Sequence, residues 1–146
     1  MYNSKKGLYL LFTKATIYTL HALVELSNFN EPVDVSKLAS LTDLPKAFLA
    51  KLLQHLSKKG LINSFKGING GFVLAKKPSE IKIIDIFKAI EDKDTLVFYC
   101  SNEEERCIRK NNLCKIRPFL INLEKEFLEI IKNYTLLDVI RMSAGK

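Results

Sequence analysis

Several familiar features are missing from the 146-residue sequence. It has no low-complexity tract, no visible internal repeat and no apolar run approaching the ~20 residues that cross a bilayer. A short apolar run at 7–12 ends at Thr13 and Lys14 without a small-residue cleavage site, so it does not predict a signal peptide. These absences predict a cytoplasmic protein with a folded core, long enough for one domain or a small domain with an oligomerisation arm.

Catalytic motifs are missing as well. The sequence shows no Gly-rich phosphate loop, no paired-carboxylate site and no Ser/His/Asp arrangement. One cysteine and one histidine can form a nucleophile pair, but no further motif supports that interpretation. We therefore predict that the protein is not an enzyme.

Cysteine is scarce, and all three cysteines lie in one polar segment, CSNEEERCIRKNNLC, at Cys100, Cys107 and Cys114. A seven-residue repeat returns to one face of a helix, but buried thiols there would need apolar neighbours one turn away. After Cys100 those positions hold Glu103 and Glu104 instead. An odd number of thiols in a reducing compartment favours metal or redox chemistry over a disulfide framework.

Positive charge is unevenly distributed along the chain. Residues 1–80 carry 11 Lys and 5 Asp/Glu, a balance of +6, whereas residues 81–146 carry 12 Lys/Arg and 11 Asp/Glu, a balance of +1. A basic half joined to a nearly neutral half is typical of a nucleic-acid-binding module with a second function attached.

Apolar periodicity predicts three helices in the basic half. Residues 13–28 place an apolar stripe on one face, and a short helix at 35–40 follows with Asp34 or Ser36 as its N-cap. After the break LTDLP, a helix from Pro45 to about Lys59 ends before Gly60. The residues predicted to be buried are Ala15, Tyr18, Thr19, Ala22, Leu23 and Leu26 in the first helix and Phe48, Leu49, Leu52, Leu53 and Leu56 in the third.

A hairpin is predicted directly after this helix-turn-helix pattern. LINSF at 61–65 and FVLA at 72–75 read as strands, and KGINGG between them supplies the glycines of a turn. A helix-turn-helix followed by a hairpin is a winged helix. The fold class is therefore mainly α with a small β-hairpin wing, completed by a long C-terminal dimerisation helix.

The outward face of the third helix is the predicted DNA-reading surface. A recognition helix enters the major groove by its N-terminal end, so Lys46, Ala47 and Ala50 are expected at base edges. Positions further along the helix can reach bases or phosphates, and the wing can grip a minor groove. The predicted DNA-binding residues are Lys46, Ala47, Ala50, Lys51, Gln54, Lys58 and Lys66. His55, at the edge of the buried stripe, is expected to have a structural or phosphate-contacting role.

A helix at 83–92 and a longer C-terminal helix are predicted in the second half. In the longer helix, apolar residues recur at intervals of 4, 3, 4, 3 and 4. We call these residues the seam: Ile116, Leu120, Leu123, Phe127, Ile130 and Tyr134. The seam could pack on its own domain, but pairing with a second copy is favoured because helix-turn-helix proteins commonly dimerise to span two half-sites. The predicted regions are a DNA-binding domain at 1–80, a connecting helix and cysteine loop at 81–115, and a dimerisation helix with a tail at 116–146.

In this order of elements the chain resembles the Rrf2 family of bacterial transcription regulators, from about Leu11 to Val139. The most specific match is the wing motif G-x-N-G-G-F-x-L at 67–74. The resemblance implies a winged-helix homodimer that binds operator DNA. In the cluster-binding branch it implies an iron–sulfur cluster, [2Fe-2S] or [4Fe-4S], held by Cys100, Cys107 and Cys114.

The chain departs from the family pattern at several positions. Six residues separate the cysteines where relatives usually have five, and Arg117 stands where some carry a histidine ligand. Others take a ligand from the partner's first helix, where Ile17 cannot ligate but His21 is one turn later. The resemblance thus makes His21 of the partner subunit the candidate fourth ligand. Ala50 replaces an acidic residue that tunes sequence choice in some relatives, so a different operator preference is expected.

Two alternatives to cluster control stay open at the sequence level. The thiols could form a redox switch or a zinc site, because thiolate ligands suit zinc and iron–sulfur centres alike. Alternatively, the C-terminal half could bind another effector while the cysteines remain idle. In each case the expected mechanism is a dimer with two states that differ in the separation of the recognition helices. The sequence does not determine whether the regulator activates or represses.

Overall fold

The structure, a computed structural model, describes residues 12–91 and 114–145. Within these ranges it contains six α-helices, one 3-10 turn and one two-stranded antiparallel sheet. In chain order the elements are α1 (Lys14–Leu26), α2 (Val35–Thr42), α3 (Lys46–Lys58), β1 (Ile62–Phe65), β2 (Gly71–Leu74), the 3-10 turn (Pro78–Glu80), α4 (Ile83–Glu91), α5 (Arg117–Lys132) and α6 (Leu136–Ala144). No helix in the described ranges is both long and apolar enough to cross a membrane.

The first helix provides one wall of the core. Thr13 caps α1 by accepting a hydrogen bond from the backbone N–H of Thr16, and the helix buries Ala22, Leu23 and Leu26 as predicted. The predicted stripe was wrong at one edge. Thr16 is buried, whereas Tyr18 is only half-buried. A polar residue is buried there because its hydroxyl has a carboxylate partner on α4.

The helix-turn-helix forms where the sequence predicts it. Asp34 caps α2 by accepting a hydrogen bond from the Ser36 backbone N–H at 2.7 Å. Asp43 ends the helix in the left-handed conformation with a φ of 56°, a conformation that aspartate tolerates better than most side chains. After Pro45, α3 buries Leu49, Leu52, Leu53 and Leu56.

The prediction that Phe48 is buried was wrong. Its side chain is 39% exposed, and its ring contacts Tyr18 edge-on with 5.6 Å between centroids. Phe48 and Tyr18 thus cover each other at the border between α1 and α3, outside the buried stripe. An aromatic pair of this kind gains favourable edge-to-face geometry while both rings remain partly solvated.

The base of the wing is joined directly to the end of α3. At its base, Gly60 has a φ of 77°, and the backbone N–H groups of Gly60 and Leu61 donate to the carbonyls of Ser57 and Leu56. These two bonds form the glycine-terminated cap predicted for α3. Beyond it, β1 pairs with β2 in a register that sets Phe65 opposite Gly71.

A third segment pairs with β2 of the wing. Val33, just before α2, exchanges two 2.9 Å backbone hydrogen bonds with Phe72. Gly71 lies so close to this segment that a Cβ atom would stand 2.4 Å from the Val33 carbonyl oxygen. The hairpin is therefore fixed relative to the helix-turn-helix.

The C-terminal residues fold back onto the first half of the chain. The sequence predicted a dimerisation helix with a tail at 116–146, and within this region residues 136–144 form a separate helix, α6. Thr135 and Asp138 make a reciprocal capping box at its start. The backbone N–H of Leu136 donates to the Ile81 carbonyl at 2.8 Å, and the Leu136 side chain is fully buried. α6 contacts both α1 and the 3-10 turn.

Candidate nucleic-acid interface and metal-binding segment

The polar face of α3 carries the residues predicted to read DNA. Its buried leucines fix the rotation of the helix and leave the opposite face in solvent. On that face Ala50 is half-buried, and the other predicted residues of the helix are exposed: Lys46, Ala47, Lys51, Gln54 and Lys58. The structure thus brings these six side chains to one surface.

The electrostatics of this surface favour a polyanion. The sequence of α3 contains no acidic residue, and no side chain caps its N-terminus. Backbone N–H groups and the helix dipole make such an end attractive to phosphate. Asp34 lies nearby on α2, and its pKa is lowered mainly by the hydrogen bond from the Ser36 backbone N–H, with Lys46 a smaller cause.

The tip of the wing extends beyond β1 and β2. Lys66 is exposed at the start of the connecting loop, as predicted, and a 3.0 Å hydrogen bond from the Gly70 N–H to the Gly67 carbonyl closes the turn. Ile68 and Asn69 occupy the two central positions of this turn and are exposed. Sequence analysis did not single out Ile68, because no periodicity rule applies to one residue in a loop.

His55 connects the recognition helix to the end of α4. Its Nε2 atom lies 2.6 Å from the carbonyl oxygen of Ala89. That carbonyl is in the last turn of α4, where backbone oxygens lack partners within the helix. Of the two roles expected for His55, the geometry supports the structural one.

Glu91, the last residue of α4, connects the same turn to α1. Its Oε1 atom accepts hydrogen bonds from the hydroxyls of Thr13 at 2.8 Å and Thr16 at 3.0 Å. The last turn of α4 is therefore attached to α3 through His55 and to α1 through Glu91. The cysteine segment, which starts at Cys100, follows this turn in the sequence.

Of the three cysteines, Cys114 lies within the described residues. Its thiol is free and half-buried, and its carbonyl accepts a hydrogen bond from the Arg117 backbone N–H at the start of α5. Cys100 and Cys107 lie outside the described residues. In residues 12–91 and 114–145 no group of three or more His, Cys, Asp or Glu side chains is arranged to hold a metal ion.

The donor set of the cysteine segment nevertheless suits a soft metal centre. Three thiols are available, and Lys115 and Arg117 next to Cys114 would offset the negative charge of a thiolate-bound group. His21 is exposed on α1, one turn after the 43% exposed Ile17, so its ring is accessible to a partner molecule. Its assignment as a ligand stays a prediction.

The seam is only partly covered by the chain's own core. Four of its residues are exposed, namely Ile116, Leu123, Ile130 and Tyr134, whereas Leu120 and Phe127 are half-buried. The helix is slightly shorter than the seam, since Ile116 precedes its first turn and Tyr134 follows Asn133 at its end. Phe119 and Ile121 on α5 are also exposed, which the heptad pattern did not predict.

Comparison with known proteins places these features in one family. The model of the Rrf2 family, described as an iron-dependent transcriptional regulator, matches residues 12–142. A curated relative from Halalkalibacterium halodurans, named HTH-type transcriptional regulator NsrR, is 34% identical over 132 residues, which cover 88% of this chain and 88% of that protein. A regulator of the same name from Bacillus licheniformis is 32% identical over 88% of this chain and 90% of its own length.

Solved structures show the same fold at lower identity. IscR of T. potens superposes with a TM-score of 0.72 over 96% of this chain and 93% of its own, at 24% identity. CymR of B. subtilis, described as the global cysteine regulator, gives a TM-score of 0.70 over 93% of this chain and 98% of its own, at 22% identity. At these identities the likeness shows the winged-helix architecture.

Proposed function

Since the chain belongs to the Rrf2 family and is a transcriptional regulator rather than an enzyme, we propose that it acts in the cytoplasm as an operator-binding homodimer. We further propose that an iron–sulfur cluster bound by Cys100, Cys107 and Cys114 controls its affinity for double-stranded DNA. The observation that carries the proposal is the position of the cysteine segment. It lies in the chain between α4, whose last turn contacts the recognition helix, and α5, which carries the exposed seam.

DNA binding is assigned to α3 and the wing. Lys46, Ala47 and Ala50 at the start of α3 would meet base edges, while Lys51, Gln54 and Lys58 would reach bases or phosphates. Lys66 would grip a minor groove or its phosphates. The exposure of the lysines on one face supports this assignment, because phosphate contacts need charged side chains free of internal partners.

Homodimerisation is assigned to α5. A helix with exposed isoleucine, leucine and aromatic side chains along one seam gains stability when a second copy covers them. Two symmetric copies would present two recognition helices to half-sites about one DNA turn apart. The predicted regions 1–80, 81–115 and 116–146 would then correspond to DNA binding, sensing and pairing.

Cluster binding is assigned to the three thiols, with His21 of the partner subunit as the candidate fourth ligand. When bound, such a cluster supplies an iron centre that responds to redox change, nitric oxide or iron supply. The protein itself would transmit the state of the cluster to the recognition helix. The cysteine segment follows α4 in the chain. In the last turn of α4, the Glu91 carboxylate accepts hydrogen bonds from α1, and the Ala89 carbonyl contacts α3 through His55. A change in this turn would therefore move the recognition helix relative to α5.

The test is purification without oxygen, followed by an absorbance spectrum, iron and sulfide analysis, and DNA binding by the same sample. We expect broad visible absorption with equal iron and sulfide, and a change in operator affinity when the cluster is removed. Variants with serine at each cysteine should lose the cluster and that response, while Ser101→Ala in the same segment should retain both.

A colourless protein that lacks iron and resists cluster reconstitution would contradict cluster control. Zinc in the metal analysis, or operator affinity that depends on thiol oxidation without iron, would then support the zinc or thiol-switch alternative. Serine variants with unchanged operator binding would indicate that the cysteines are idle and that another effector acts on the C-terminal half.

A further inference from the structure

The tip of the wing carries a large apolar side chain that the proposed function does not use. Ile68 is 104% exposed, and the next most exposed large apolar side chain in the described residues, Met142, is 66% exposed. A single exposed isoleucine on a flat surface would be unremarkable. At this position, however, the side chain stands at the far end of an anchored hairpin.

The residue type is also uncommon at this position. Ile68 is at a central position of the turn closed by the Gly70 N–H and the Gly67 carbonyl. Central turn positions are richest in Gly, Pro, Asn, Asp and Ser, and β-branched side chains favour strands. A large apolar side chain that is neither buried nor favoured by the turn is expected where the side chain has a function.

The base of the wing holds this side chain in a defined place. Phe72 is hydrogen-bonded to Val33 in both directions, and Gly71 is in close contact with the Val33 backbone. β1 continues directly from the Gly60 cap of α3. Ile68 is therefore presented at a fixed position relative to the polar face of the recognition helix.

The neighbours of Ile68 indicate the chemistry of its target. Lys66 and Asn69 are exposed in the same turn. Proteins that bind the minor groove combine lysine or asparagine at base edges and phosphates with an apolar wedge inserted between base pairs. A lysine beside the isoleucine suits a polyanion better than an apolar protein groove.

We propose that Ile68 is an apolar wedge that enters the minor groove next to the α3 site and opens one base step. Steps that unstack easily, such as TA and CA/TG, would be preferred at that position although no hydrogen bond reads them. The wedge would therefore determine part of the operator specificity. This inference depends on the proposed DNA-binding function and adds to it a residue and a mode of recognition.

The experiment compares Ile68→Ser with Ile68→Leu on duplexes selected by the unaltered protein from a random pool. We expect Ile68→Ser to weaken operator binding by roughly 10-fold, the size of one lost base contact. The slope of log affinity against log salt should stay unchanged, because no phosphate contact is removed. Ile68→Leu keeps an apolar wedge and should stay within about 2-fold of the unaltered protein.

A fluorescent base analogue placed at the step facing the wing provides a second readout. Unstacking should raise its emission when the unaltered protein or Ile68→Leu binds, and not when Ile68→Ser binds. Thermal melting and sedimentation of the variants serve as controls, and we expect both to be unchanged because the side chain is fully solvent-exposed.

The outcomes separate the wedge from the function on which it depends. If the unaltered protein selects no duplex, the proposed DNA-binding function fails. If it selects an operator that Ile68→Ser binds with equal affinity and equal emission, the wedge alone is wrong. A lowered salt slope in Ile68→Ser, or a changed sedimentation coefficient, would also overturn the wedge by assigning Ile68 to phosphate positioning or to protein contact.

Discussion

Thr16 is a buried threonine on α1 with a specific hydrogen-bond partner. Its side chain is 1% exposed, and its hydroxyl donates to Glu91 at the end of α4. Thr13 donates to the same carboxylate oxygen from the helix cap. Two neutral hydroxyls thus donate to one carboxylate oxygen, and they join the beginning of α1 to the last turn of α4.

Replacing Thr16 with valine should destabilise the protein. The change keeps the shape of the side chain but removes a hydrogen bond to a charged group, and such bonds contribute about 1.5–3 kcal/mol. We expect the free energy of unfolding in urea to fall by about 1–3 kcal/mol. Thr16→Ser retains the hydroxyl and should lose less. A Thr16→Val variant as stable as the unaltered protein would show that the hydrogen bond does not contribute.

Single residues also show where reasoning from sequence succeeds and where it fails. The Gly60 cap was predictable because a glycine following a helical pattern has few other structural reasons to be there. Phe48 and Tyr18 were wrongly predicted to be buried, and the burial of Thr16 was not predicted, because periodicity locates the centre of an apolar stripe whereas neighbouring elements decide its edges. Thr16 became an inner residue through a carboxylate 75 positions away, which no local pattern contains.

At the scale of elements, α6 was the feature that the sequence analysis missed. Its start carries a capping signature, Thr135 followed three residues later by Asp138, and an apolar pair follows at Leu136 and Leu137. Both signals are local and were available in the sequence. The heptad seam ends at Tyr134, however, so its periodicity does not extend to the nine residues of α6.

The capping box makes the stability of α6 depend on pH. The pKa of Asp138 lies below its ordinary value of 3.8, mainly because the Thr135 hydroxyl donates a hydrogen bond to its carboxylate. A second hydrogen bond, from the Thr135 backbone N–H, lowers the pKa further. Because the folded-state pKa is the lower one, the stabilisation is fully present above pH 3.8 and is lost as the pH falls through the folded-state value.

Asp138→Asn should reveal this dependence, because asparagine has the same shape without the titrating charge. We expect the variant to melt at a lower temperature than the unaltered protein at neutral pH. As Asp138 itself becomes protonated at acidic pH, the two melting temperatures should converge. A difference that stays constant from neutral to acidic pH would show that the charge of Asp138 does not contribute.

α3 and the wing were predicted nearly to the residue, for physical reasons. Four leucines at helical spacing, a proline before the helix, Gly60 after it and the glycines of the wing turn each favour the same local structure independently. Where several local signals agree, little freedom is left for tertiary structure to change the outcome.

At the scale of the whole molecule, the excess of lysine in residues 1–80 should make the salt dependence of DNA affinity arise from that half of the chain. Each lysine that contacts a phosphate releases about one counterion on binding. We therefore expect Lys51→Gln to reduce the slope of log affinity against log salt by about 1. Lys125→Gln, a matched change of an exposed lysine on α5, should leave the slope unaltered. Equal slopes in all three proteins would remove Lys51 from the DNA-binding surface.

The docking of α6 also matters for how the protein is made. α1 is synthesised well before Leu136, which is buried in the same core as Leu23 and Leu26. Until α6 has been made, the surface of α1 that it covers stays open to solvent or to chaperones. A nascent chain stalled before Thr135 would therefore hold an incomplete core around α1.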